Sequence, residues 1–225
     1  MLPAPVERYW AVAVGDRPAV RTATVRHRGS FFLSPAANAS AIEGEQLFIV
    51  EPPGFLWSAR IDVVPGVRVD ARDLRLGDEG SMRVLIDDSF TVADTSGPQL
   101  NQGSALRLLA EMPWYPTALF DERRVTWGAI DETHASVTLR LDSLEVSAVF
   151  EFGADGLPAS VTAQSFDDQG VLTRLGGVYC DYRRVSGLLV PFEVEVRWQP
   201  ESGPFTSGHW LIDSVEYDQP RNSGA

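Results

Sequence analysis

Apolar and polar residues alternate with a period of two from one end of this chain to the other. Phe55, Trp57, Ala59, Ile61 and Val63 share one parity, while Ser58, Arg60 and Asp62 take the other. The pattern recurs in Val67, Val69 and Ala71 against Arg68, Asp70 and Arg72, then in Ala135, Val137, Leu139 and Leu141. It returns in Leu144, Val146, Ala148, Phe150 and Phe152, and in Val190, Phe192, Val194, Val196 and Trp198. Successive side chains of a strand point to opposite faces, so this rhythm specifies strands with one face buried. Turn formers separate the runs at Pro65-Gly66, Gly77 to Gly80, Asp142-Ser143, Asp155-Gly156, Asp167 to Gly170, Ser186-Gly187 and Ser202 to Pro204. The spacing predicts about ten to twelve strands in an antiparallel meander. Strand twist accumulates, so a sheet of that size curls into a strongly curved sheet or half-open barrel.

Two stretches break the rhythm. Pro5 to Val14 predicts a short amino-terminal helix, with proline in its first turn and Gly15 after its end. Gln99 to Met112 places Leu100, Ala105, Leu106, Leu108, Leu109 and Met112 at helical spacing and stops at Pro113. This central helix is expected to cover the concave side. The class is mainly β, with one domain over residues 1–218 and a loose tail over 219–225.

Composition excludes several chemistries. All nineteen basic residues are arginine, which removes a lysine Schiff base, a pyridoxal phosphate anchor and a lysine base. The formal charge of −12 repels phosphate backbones and anionic headgroups, so a nucleic-acid partner is not expected. No window approaches the roughly 18 apolar residues of a membrane-spanning helix. No basic stretch followed by an apolar run opens the chain, so no secretory signal is read. With a single cysteine, Cys180, the expectation is a reducing, cytoplasmic setting. Cys180 itself is expected to be a packed, inert thiol. The sequence has no nucleophile elbow, dinucleotide fingerprint or phosphate loop. His27, His134 and His209 are too scattered for a zinc site, so neither metal nor cofactor is expected.

Three residues stand out as candidate acids or bases. Glu111 sits at the carboxyl end of the central helix, where the helix dipole opposes its charge. It reads either as a general acid facing a pocket or as the ion-pair partner of Arg107 one turn earlier. Asp88 falls on the apolar parity that runs from Met82 to Val92, unless Asp87-Asp88 forms a bulge or turn. His27 shares parity with Val25, Phe31 and Leu33, as a hydrogen-bonded core histidine or as a proton-transfer partner. The aromatic residues Trp57, Trp114, Tyr115, Tyr179, Trp198 and Trp210 are candidates to line a cavity, since their rings pair an apolar body with a polar tip. The competing reading is a core filled by side chains.

The stretch Leu109-Ala110-Glu111-Met112-Pro113-Trp114-Tyr115-Pro116-Thr117-Ala118-Leu119 resembles the signature of a bacterial family of unknown function. Pro53-Gly54-Phe55-Leu56-Trp57-Ser58-Ala59-Arg60-Ile61 upstream and Val194-Glu195-Val196-Arg197-Trp198 downstream extend the likeness over nearly the whole chain. That family implies no activity and no catalytic residues. The architecture is also similar to lipoprotein carriers, whose half-barrel under covering helices holds acyl chains. The expected function is binding of a bulky hydrophobic small molecule, by a cofactor-independent cyclase or isomerase. The alternative is a carrier that leaves its ligand unchanged.

Overall fold

The computed structural model describes residues 2–64, 66–87, 90–167, 169–200 and 203–219. Asp88 and the expected tail from residue 220 onward lie outside them. The chain is mainly β, as its alternation dictates. The first six strands are β1 (Thr22–Phe31), β2 (Ser40–Ile49), β3 (Gly54–Val64), β4 (Val67–Leu76), β5 (Glu79–Ile86) and β6 (Phe90–Ser96). The remaining seven are β7 (Val125–Ala129), β8 (His134–Arg140), β9 (Glu145–Phe152), β10 (Pro158–Phe166), β11 (Leu172–Val185), β12 (Leu188–Gln199) and β13 (Phe205–Tyr217). They form a single 13-stranded sheet in the order β6-β5-β4-β3-β2-β1-β13-β12-β11-β10-β9-β8-β7. Every neighbouring pair is antiparallel. The count slightly exceeds the expected ten to twelve because the edges carry the weakest alternation. β6 is exposed along almost its whole length, and β7 has five residues.

The chain lays down β1 to β6 outward to one edge and crosses to the other edge. It then returns through β7 to β13 to pair with β1. The crossing segment is α2 (Pro98–Glu111), followed by 3₁₀ turns at Met112–Trp114 and Pro116–Phe120. It starts and stops one residue before the predicted limits, with Pro98 in its first turn and Pro113 just beyond its end. α2 packs against β4, β5 and β6 and also against β9 and β10. On a flat sheet β5 and β10 would lie roughly 38 Å apart at 4.8 Å per strand. A helix of 14 residues rises only about 21 Å. The sheet therefore curls around the helix, and the half-open barrel follows from chain length and connectivity.

The amino-terminal helix α1 (Ala4–Tyr9) continues as a π turn over Trp10–Val14 and ends at Gly15, whose φ of 56° favours glycine. Its Tyr9 packs on Phe120 and Phe152. Together α1, α2 and the 3₁₀ turns bury Leu108, Leu109, Tyr115 and Leu119 against Phe48, Phe55, Leu139 and Phe150. Each such side chain contributes about 1.5–3 kcal/mol of burial.

Two local readings are corrected. Val63 is 45% exposed, because the β3–β4 register shifts between Asp62 and Val64 and ends the alternation early. Cys180 is exposed and not packed. Tyr179, opposite Val194, takes the inward parity, which leaves Cys180 beside Glu193 on the outer face. Partial burial and then Glu193 and Glu195 raise its thiol pKa.

Candidate functional site

The register aligns inward-facing residues in rows across β1 to β5. One row runs Ala23, Phe48, Phe55, Arg75, Gly80, and the next Val25, Gln46, Trp57, Asp73, Met82. The third row is His27, Gly44, Ala59, Ala71, Val84, and the fourth is Gly29, Ile42, Ile61, Val69, Ile86. α2 lies over the first two rows, and its polar side chains meet them in one network.

Arg107 is the centre of that network. Its guanidinium donates to Asp73 at 2.7 Å, to Gln46 at 2.9 Å and to Glu111 at 2.9 Å. It also stacks 4.9 Å over the rings of both Phe55 and Trp57, a cation–π arrangement that burial strengthens. Gln46 donates to Glu111 at 2.6 Å, closing the ring of contacts. The ion pair with Arg107 expected for Glu111 is present. Burial pushes its carboxyl above the usual range, against the pull of Arg107 and Gln46. The Arg107 side chain is 26% exposed and that of Glu111 17%, so the network reaches solvent at one rim. Deeper along α2, the fully buried Arg75 donates to the Asn101 carbonyl at 2.6 Å and to the Ser104 hydroxyl at 2.8 Å.

His27 lies one row further on and is buried. Trp57 Nε1 donates to His27 Nε2 at 2.9 Å, and the Trp210 ring centroid lies 5.2 Å from the imidazole. Gly44 makes room for the ring, since a Cβ there would come within 2.8 Å of Nε2. Burial first, then Arg107, lowers the His27 pKa to about 4, so the ring is neutral at neutral pH. Glu111 and His27 are therefore linked in series, Glu111 to Arg107, Arg107 over Trp57 and Trp57 to His27, whereas Asp88 lies outside the described residues.

The aromatic candidates divide between two environments. Trp57, Trp114, Tyr115 and Tyr179 are buried. Trp114 donates to the Pro191 carbonyl, Tyr179 to the Ala110 carbonyl, and Tyr115 packs on Phe48 with centroids 4.7 Å apart. A cavity of about 20 Å³ beside Tyr115, Met112 and Leu108 holds no more than a water. Under α2 the candidates thus fill the core. Trp198 and Trp210 stand elsewhere, on the inward parity of β12 and β13 and only half-buried. Phe31, Val69, Val84, Ile86 and Val196 share their parity and their partial exposure, flanking the buried Ile42 and Ile61. Beyond the His27 row the inner face is thus an apolar band that α2 does not cover.

A cavity of about 1100 Å³ opens along β1 to β6, mostly among outward-parity residues but also bordered by His27, Gly44, Ala59 and Ala71 of the third row. It is lined by charged side chains including Arg26, Glu45, Arg60, Asp70, Arg72 and Arg83. Its chemistry is not that of the expected aromatic pocket.

Sequence reasoning missed Gln46, Asp73 and Arg75, and treated Arg107 only as a partner for Glu111. The signal was present: extending the parity of Val69 and Ala71 by two and four residues sends Asp73 and Arg75 inward. Polar side chains on a buried parity need partners, and α2 supplies them.

The chain belongs to DUF6544, a family of unknown function, whose model matches residues 1–210. No curated protein matches it. Among solved structures it is similar to a DUF1329 family protein from Desulfovibrio piger. That match has a TM-score of 0.51 and 13% identity over 97% of this chain and 94% of that one, and it reflects a shared fold. It is also similar to a LolA superfamily protein from Nitrosomonas europaea, with a TM-score of 0.47 and 11% identity over 98% and 96% of the two chains.

Proposed function

We propose that the uncovered half of the inner face binds an elongated, largely apolar small molecule whose polar end lies against the Arg107–Glu111 rim. The observation that carries this reading is the band of half-buried apolar side chains from Phe31 to Trp210, set one row, that of His27, from a charged network that reaches solvent. Apolar side chains left partly wet on the inward side of a curved sheet gain free energy when a ligand dries them. A few convergent polar groups at one end would fix its orientation.

Fluorescence titration with N-phenyl-1-naphthylamine, followed by native mass spectrometry with a denaturing extraction, tests this reading. Saturable enhancement at one equivalent supports it, and its absence together with a clean apo mass contradicts it.

A second reading, rearrangement of the bound molecule by a cyclase or isomerase, draws on the placement of Glu111 and His27. Burial raises the pKa of one and lowers that of the other beside the same arginine, as acid–base sites require. An extracted ligand returned unchanged after incubation with fresh protein favours the carrier. Turnover lost in Glu111→Gln favours the catalyst.

A further inference from the structure

His27 carries a hydrogen-bond requirement that its surroundings do not meet. An indole N–H only donates, so the bond from Trp57 makes His27 Nε2 the acceptor. In a neutral ring the proton then resides on Nδ1. That atom is buried and has no hydrogen-bond partner among the described residues, although His27 is only 5% exposed. A buried donor without an acceptor is costly, and each such group calls for a cause. The surroundings are built to keep the ring in place. Gly44 leaves the space beneath it, Trp57 holds its far nitrogen, and Trp210 packs against its face with its own ring lying over Gly208. The imidazole also lies at the border where the packed core gives way to the half-wet apolar band.

We infer that His27 Nδ1–H is a recognition donor for an uncharged acceptor oxygen, an ester, ketone or ether, on an otherwise apolar ligand. This rests on the binding reading above and names the chemistry of the ligand's polar end. The donor set selects the neutral group. All three guanidinium nitrogens of Arg107 already donate, to Glu111, Asp73 and Gln46, so an added anion finds that cation engaged. A cationic head would instead face the positive end of an N–H bond.

The test uses three probes of matched length on the full chain: undecane, methyl decanoate and the decanoate anion, each displacing N-phenyl-1-naphthylamine. Methyl decanoate is expected to bind about tenfold more tightly than undecane or decanoate, as one added hydrogen bond gives. In His27→Phe the advantage over undecane should vanish while undecane itself binds within about twofold of wild type. Nitrogen-15 NMR of the unaltered protein gives an independent readout. The Nδ1–H tautomer should be present without ligand, and its proton should move downfield when methyl decanoate is added. Equal binding of ester and alkane, an Nε2–H tautomer, or an unshifted Nδ1 proton would overturn the assignment. Tighter binding of decanoate would overturn it in favour of an anion site. Failure of all three probes would instead remove the binding reading on which it depends.

Discussion

The two halves of the inner face are built from the same alternation and end in different states. Beneath α2, Phe48, Phe55, Leu108, Leu109 and Tyr115 interlock, and Arg107 pairs with Asp73, Gln46 and Glu111. Beyond His27 the same inward parity continues through Val69, Val84, Ile86 and Trp210, but no element of the described chain covers it fully. The β-strand pattern decides only that a face is apolar. Whether that face becomes core or binding surface depends on how far the crossing helix reaches, and at about 21 Å α2 spans only part of the trough.

Truncation in the closed half should have the largest effect. Leu109 is fully buried, so Leu109→Ala should cost about 4 kcal/mol in urea unfolding while leaving naphthylamine affinity near wild type. A small loss of stability coupled to a large loss of binding would show that the halves are not separate.

The border responds to pH. His27 titrates near 4 when folded and at about 6.5 when unfolded. Both states are neutral above pH 6.5. Below it the unfolded chain takes up the proton first, so stability falls between pH 6.5 and 4 by about 3 kcal/mol from this residue. Glu111, raised in the folded state, works in the opposite sense at the acid end of that window. Subtracting the profile of His27→Phe isolates the histidine. Parallel profiles for the two proteins would refute the buried neutral ring.

Gly44→Ala probes the same border by shape. The added methyl would sit 2.8 Å from His27 Nε2 and 2.9 Å from the Ser58 carbonyl, so a loss of about 2 kcal/mol is expected. Crystallography should show the imidazole displaced from Trp57. An unmoved ring would mean that the glycine is incidental.

The smallest stability effect belongs to the open half. Trp198→Ser should change unfolding by less than about 1 kcal/mol, because the ring is already half in water. Calorimetry should nevertheless find naphthylamine affinity reduced about tenfold.

Much of the fold was legible because period two is a strong signal: the runs from Phe55, Ala135, Leu144 and Val190 all supplied strands, with the expected face buried except at Val63 and at the half-buried Leu144, Val196 and Trp198. The pairing of β1 with β13 was not legible, since no local pattern reports which distant strands meet. At the site, the Glu111–Arg107 pair was readable from helical spacing. Asp73 and Arg75 were hidden because a charged residue on an inward parity looks like the end of a strand until a partner from α2 is known. Trp114 and Trp198 looked alike in sequence, and only the placement of α2 makes one core and the other surface.

The most direct test needs no mutation. Each of the six tryptophans gives an indole N–H signal, and methyl 5-doxyl-stearate broadens those close to its nitroxide. Binding in the open half predicts that Trp198 and Trp210 fade during titration while Trp114 and Trp127 persist. Loss of the Trp114 signal first, or uniform broadening of all six, would contradict a binding surface distinct from the core.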